Sequence, residues 1–348
     1  MTKKRIKRII QISLLAGTLT SLYFVPWIVV KAWIMPLPNT IEEQANEAVS
    51  NGFDGIIIYV DQAHHEPKCY TAGWHNKNTE QPTRPDALFK IASVSKLYTA
   101  AAVVKLNAMG LLSLDQTLAD YLPELSGKIE HANEITIEML VKHRSGIPNY
   151  TDTPNYWAHP KDGYAENLDL ILGLRANFEP DAQYEYCNTN YLLLSKIMDS
   201  VLGYPHFDFI QNKILDRLHL TNTFKSIHDV TSDRMMSGYH KGHPLDLKTD
   251  DVGMIATAKD VGIFLRALID GSVFDGNEQE TYSKLYEYEH KGWVPGYQSI
   301  AKYQKDIDAV VVQFTSTTDP KLYYWNLADV EYNRVIKLLK KSRQGNAH

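Results

Sequence analysis

Apolar positions are spread unevenly along this chain. From Ile9 to Val30 they form a nearly unbroken run whose only polar residues are Gln11 and scattered Ser and Thr, and five cations (Lys3, Lys4, Arg5, Lys7, Arg8) precede it. About 20 apolar residues span a bilayer; this run exceeds the apolar part of a usual signal peptide, and no small-x-small cleavage site follows. The pattern predicts a basic tail and an uncleaved signal-anchor helix over 1–36. The basic cluster then stays cytoplasmic, Trp27 and Trp33 fall at an outer aromatic belt, and the rest of the chain lies on the periplasmic or cell-surface side of the cytoplasmic membrane. A cleaved secretory signal is the alternative, and it exports the same remainder.

Beyond the Pro36-Leu37-Pro38 linker, Thr40 to Ser50 reads as a helix ended by Asn51-Gly52. Two strand signals follow, Gly55 to Val60 and Lys68 to Trp74, joined by a loop that contains His64 and His65. The helix from Leu97 to Met109 is apolar nearly all round, the mark of a buried helix. From there to about Asp246 the pattern is helices and long loops, with a turn by composition at Arg144 to Pro148. Thr257-Ala258-Lys259-Asp260 reads as a capping box opening a helix to Asp270. Strand signals return at Tyr282 to Trp293, Gly296 to Tyr303 and Ala309 to Phe314, before an amphipathic helix over Leu327 to Lys341. Strands grouped at the two chain ends predict an α+β fold. We expect a mainly antiparallel sheet of about five strands from 37–105 and 247–348, flanked by helices, and an inserted all-helical domain over 106–246.

Composition narrows the function. Removing residues 1–31 with their six cations leaves 30 basic residues against 41 acidic, a net charge of −11. That balance excludes a nucleic-acid binder. Two cysteines, Cys69 and Cys187, make no disulfide framework and read as unpaired thiols. His64-His65 has no third ligand at a useful spacing, and Asp246, Asp250 and Asp251 read as a loop face, so no metal or cofactor is implied. Nothing in the sequence specifies an oligomeric state.

The candidate chemistry begins at Ser93-Val94-Ser95-Lys96. Residues three apart share one helix face, and a lysine amine one turn from a serine is placed to take its proton; Ser95 faces elsewhere. Alone this pairing is common. It is joined by Tyr186-Cys187-Asn188 and by His290-Lys291-Gly292 on a strand. Tyr186 can pass a proton to a leaving group, Asn188 offers both donor and acceptor to Lys96 and a substrate amide, and Gly292 lets a substrate approach the strand backbone.

In order and separation these three motifs resemble the serine β-lactamase and penicillin-binding-protein family, most closely its class C β-lactamase, D-alanyl-D-alanine carboxypeptidase and esterase branch. A sister pattern in the family has Ser-Asp-Asn second and Lys-Thr-Gly third. Flanking segments share the resemblance, among them Phe89 to Ala92, Leu112 to Asp115, Tyr121 to Glu124, His143 to Pro148 and Trp293 to Tyr297, so that it covers about residues 40 to 340. It implies a β-lactamase/transpeptidase-like fold and a membrane-anchored serine hydrolase working through an acyl-enzyme. Ser93, Lys96 and Tyr186 would be catalytic, and Asn188, His290, Gly292 and Trp293 would bind substrate, with the N–H groups of Ser93 and Trp293 as oxyanion hole. The expected substrate is a D-alanyl cell-wall peptide, with β-lactam or ester as alternatives; a penicillin-recognising binding protein without turnover is a further one. His290 stands where many relatives carry Lys, and it arrives early in the chain, which predicts a reduced cleft wall and a weaker grip on a substrate carboxylate.

Overall fold

The computed structural model describes residues 3–249 and 253–345. Its strands in chain order are β1 (Gly55–Gln62), β2 (Lys68–Asn76), β3 (Gln81–Pro82), β4 (Phe89–Lys90), β5 (Thr223–Phe224), β6 (Tyr239–His240), β7 (Ile255–Ala256), β8 (Glu289–Val294), β9 (Tyr297–Gln304), β10 (Ala309–Thr315) and β11 (Thr317–Thr318). Six of them form an antiparallel sheet in the order β3-β2-β1-β10-β9-β8. The two chain ends meet where β1 pairs with β10, with Tyr59 opposite Val312. The sheet therefore has the expected arrangement, with β3 as an additional short edge.

Both faces are covered, which explains the continuous apolar strands. Alternate residues point to opposite faces: Ile57, Tyr59, Val310, Val312 and Phe314 enter one core, and Ile56, Ile58, Val60, Ala309 and Val311 the other. The helices are α1 (Lys3–Tyr23), α2 (Trp27–Ile34), α3 (Ile41–Ser50), α4 (Ser95–Ala108), α5 (Leu118–Tyr121), α6 (Ile137–Val141), α7 (Gly163–Asp169), α8 (Asn188–Leu202), α9 (His206–Ile210), α10 (Ala258–Asp270), α11 (Glu278–Leu285) and α12 (Tyr323–Gly345). The first core takes in α4, α8 and α10, and the second takes in α2, α3 and α12. The expected cut at 105/106 falls inside α4.

Three sequence expectations change. Residues 282–285 belong to α11 and not to a strand: Tyr282 and Leu285 bury one face at i, i+3, and Glu280 pairs with Lys284 at 2.6 Å across one turn. The middle of the chain contains β5 and β6, each two residues long and paired only with distant segments, too short to leave a periodicity. Thr257 caps α10 through Asp260 N–H, but the Asp260 carboxylate turns to Asn222 N–H and Thr223, so only half of the capping box forms.

The N-terminal run is divided. Pro26 has no N–H and its ring clashes with a preceding turn; α1 ends before it, and α2 leaves at an angle of 83°. Among the described residues no single helix is long and apolar enough to cross a membrane, though α1 and α2 together meet that length and hydropathy.

One contact tests the sheet–helix packing. Gly262 in α10 lies so close to the Tyr59 ring that a Cβ there would sit 2.2 Å from it. Gly262→Ala should lower stability by about 1–3 kcal/mol through overpacking. The expected readout is a lower urea midpoint at unchanged slope, with partial recovery in Gly262→Ala/Tyr59→Leu.

Candidate active site

Ser93 sits in a single 3-10 turn, Ala92–Val94, between β4 and α4. The chain reverses at Ala92, whose φ of 49° lies in the left-handed region that L-residues avoid. Two contacts hold this turn against the sheet. Ser299 of β9 donates to Ile91 O at 2.7 Å, and Gly292 of β8 packs so closely that a Cβ would meet Ile91 O at 2.5 Å. Glycine is required there for proximity to protein backbone, beside the substrate approach expected of it.

At the turn, Lys96 Nζ donates to Ser93 Oγ at 3.2 Å and to Asn188 Oδ1 at 2.8 Å, while Tyr186 OH donates to Ser93 Oγ at 2.7 Å. Segments nearly a hundred residues apart thus converge on one oxygen. Lys96 is 7% exposed, and its ammonium lies over the rings of Tyr186 and Tyr191, 5.1 and 5.3 Å from their centroids. Asn188, the first residue of α8, is itself fixed: its N–H donates to Asn149 and its amide to Thr151.

The edge strand β8 closes the other side. Val294 and Tyr297 flank the two-residue turn Pro295-Gly296 and so form a hydrogen-bonded pair. Alternation along the ladder then leaves Trp293 with its N–H directed away from β9, to the open edge. The oxygen of a carbonyl group whose carbon is attacked by Ser93 can meet that N–H and the N–H of Ser93. Lys291, facing the opposite way, pairs with Asp329 at 2.7 Å and lies over Trp325. It cannot reach the cleft.

His290 is neutral. Its Nδ1–H donates to Lys291 O at 2.7 Å, and its Nε2 accepts from Tyr286 OH at 3.0 Å. Burial, with the Lys96 charge adding to it, pushes the imidazole down to about 3. The ring provides shape and a hydrogen-bonding surface at working pH, and no charge for a carboxylate.

Sequence reasoning gave no role to His143, Tyr286 or Trp157. His143 is 2% exposed and lies 4.6 Å from the Tyr186 ring, centroid to centroid. Its Nδ1 accepts from Cys187 N–H at 3.1 Å, so its proton is on Nε2. Burial, and then the charge of Lys96, push it down to about 3. Its presence in the turn after α6 was visible, but its contact with Tyr186 depends on two loops meeting. Trp157 lies edge-on to Trp293 at 5.3 Å and, through Tyr156 and Tyr150, continues a row of rings from the Asn188 wall to the edge strand.

The remaining candidates take structural places. Cys187 is buried with its thiol on Ile147 O, and burial raises its pKa, which disfavours the thiolate. Both cysteines are free. His64 and His65 lie in the turn after β1, and the Asp246 carboxylate accepts from Ser237, Gly238 N–H and Lys248 N–H. Asp250 and Asp251 lie outside the described residues.

A serine in contact with a lysine amine and a tyrosine hydroxyl, presented at a sheet edge, defines a serine acyl hydrolase. Residues 55–323 match the Beta-lactamase family, and the chain belongs to it. It is 25% identical to Penicillin-binding protein 4* of Bacillus subtilis (strain 168) over 252 residues, 71% of this chain and 52% of that one. With Protein flp of Staphylococcus aureus (strain NCTC 8325 / PS 47) the identity is 29%, over 45% of this chain and 33% of that one. The matches therefore span about half of the first relative's length and a third of the second's. The fold is similar to D-amino acid amidase from Ochrobactrum anthropi SV3, with TM-score 0.77 and 22% identity over 87% of this chain and 98% of that one. It is also similar to EstCE1, a hydrolase with promiscuous acyltransferase activity, with TM-score 0.64 and 18% identity over 88% of this chain and 99% of that one.

Two expectations follow. Gly292→Ala should push β8 from the Ser93 turn and lower kcat/KM by about 10²-fold, as misplacement on the ångström scale does, with little change in far-UV circular dichroism. The buried neutral histidines set a stability window. His143 has a folded value near 3 against an ordinary 6.5. Between those values the unfolded chain binds more protons, so stability is complete above about pH 6.5 and falls as pH drops, by up to about 1.4 kcal/mol per unit. Urea midpoints at pH 7 and pH 5 should differ less in His143→Gln than in the wild type.

Proposed function

We propose that this protein is a membrane-anchored hydrolase that cleaves D-alanyl amide bonds in cell-wall peptides on the outer side of the cytoplasmic membrane. The observation that carries the chemistry is Ser93 Oγ within hydrogen-bond reach of both Lys96 and Tyr186. Acting from the form in which Lys96 is the neutral amine, the Lys96–Tyr186 pair takes the proton of Ser93 Oγ as that oxygen attacks the carbonyl carbon. The carbonyl oxygen gains the negative charge beside the N–H groups of Ser93 and Trp293, worth about 3 kcal/mol per donor. Tyr186 then gives a proton to the departing amine as the C–N bond breaks, leaving an ester on Ser93. Water, losing its proton to the same pair, cleaves that ester and frees Ser93.

Several features support the substrate and the place. The relatives named above include a penicillin-binding protein, and the fold is similar to that of a D-amino acid amidase. Five cations ahead of an apolar helix match an anchor whose body is exported. The neutral His290 favours a substrate whose recognition does not depend on one carboxylate, which also suits an ester. Ester cleavage is the second reading.

The test uses the full chain in detergent with a D-Ala-D-Ala peptide, D-alanine amide, a nitrophenyl ester, a chromogenic cephalosporin and a fluorescent penicillin. The expected outcome is turnover of the D-alanyl amides, an acyl adduct on Ser93 by mass spectrometry, and a loss of about 10³-fold or more in Ser93→Ala and Lys96→Met. Absence of any adduct on Ser93 would overturn the hydrolase mechanism. Cephalosporin or ester turnover far above that of the amides would overturn the peptide assignment.

A further inference from the structure

Helix α2 has two unlike faces. Ala32 is fully buried, and Ile28 and Val29 pack with it into the core that α3 and α12 share. On the outside Trp27, Trp33, Ile34 and Met35 are 54%, 71%, 66% and 40% exposed. Trp27, Lys31 and Ile34 recur at i, i+4, i+7, so the outer face is apolar with one cation on it. Leu22, Tyr23 and Phe24, in and before the bend at Pro26, are exposed as well, and Trp27 Nε1–H donates to Leu22 O at 2.9 Å, which joins them to this face. A contiguous apolar surface of this kind marks an interaction site.

The segment is held to the body. Arg334 of α12 donates to Ala32 O at 3.2 Å, Met35 O at 2.7 Å and Pro36 O at 2.8 Å, and to the side chains of Gln44 and Glu47 at 2.9 and 2.6 Å. Five acceptors from one stretch of 16 residues surround a single buried guanidinium. The Pro36-Leu37-Pro38 segment, expected as a linker, is fixed to the C-terminal helix.

We propose that α2 is an interfacial helix that lies flat in the headgroup region of a lipid bilayer and seats the catalytic body on it. This rests on the reading that α1 anchors the chain in a membrane. A lipid surface fits this face better than a second protein. Tryptophan rings are amphipathic and favour the membrane–water boundary, and Lys31 can extend its charge to the headgroups while its stem stays apolar. α1 and α2 meet the length and hydropathy of a span only together, and the 83° bend between them keeps them from crossing as one straight helix, which leaves α2 to lie along the surface. Since α2 packs on α12, while Ser93 enters from the opposite face of the sheet, the body holds its cleft away from the lipid.

The test reconstitutes the full chain in phosphatidylcholine–phosphatidylglycerol vesicles containing lipid brominated either near the headgroup or near the chain end. Trp27 and Trp33 are two of six tryptophans, so shallow bromine should quench about a third of the emission, more than deep bromine does. In Trp27→Phe/Trp33→Phe the chain should float with the vesicles as before and lose that fraction. Equal quenching of both proteins, or stronger quenching by deep bromine, would overturn the interfacial placement and leave the anchor standing. A chain that fails to float with vesicles would overturn the anchor and this inference together.

Discussion

The active site depends on one seat, the contact of the Ile91–Ala92 backbone with the edge strand. Ser299 Oγ–H binds Ile91 O, and the missing side chain of Gly292 lets β8 come close enough to share the same corner. Everything chemical is referred to that corner. It sets the reversal at Ala92, the direction in which Ser93 leaves the turn, and the distance from Ser93 to the outward N–H of Trp293. The seat is built on β8 and β9, which are made late in the chain yet lie against a turn made about two hundred residues earlier. A sheet assembled from both chain ends is what allows this.

Around the seat, buried charge is used sparingly and always with partners. Lys96 has Asn188, Ser93 and two aromatic faces, Lys105 has Glu278, and Arg334 has five acceptors. Removing a partner from such a cation costs more than the bond itself, because the charge stays desolvated. Neutral histidines serve the same economy. His143 and His290 flank Tyr186 without adding positive charge next to Lys96, and both are held neutral by burial and by the Lys96 ammonium. The wall of the cleft is therefore aromatic and uncharged, which separates recognition of a carboxylate from the chemistry at Ser93.

Much of this was legible in the residues. Apolar runs at the chain ends and helical periods between them gave the α+β arrangement, since a two-faced buried strand and an apolar helix leave strong local patterns. Ser93 and Lys96 could be paired from a three-residue spacing alone, because helix geometry is local. The segment Tyr282 to Trp293 divides: its aromatic residues Tyr282, Tyr286, Tyr288 and Trp293 suggest extension, whereas the Glu280–Lys284 turn and the packing of Tyr282 and Leu285 favour a helix at its start. The two-residue strands β5 and β6 were invisible, being defined entirely by distant partners.

What the sequence determined by itself is the set of groups and their local placement: a serine and a lysine on one turn, a Tyr-x-Asn ahead of a helix, and a His-x-Gly on a strand. What only the tertiary structure decided is which of these meet and in what state. That Tyr186 reaches Ser93, that His143 packs behind Tyr186, that His290 is locked between Tyr286 and Lys291 O, and that Arg334 clamps residues 32–36 are all non-local facts. They arise from loops closing over one another at specific distances, and desolvation, which fixes the protonation of both histidines, exists only once those loops have closed.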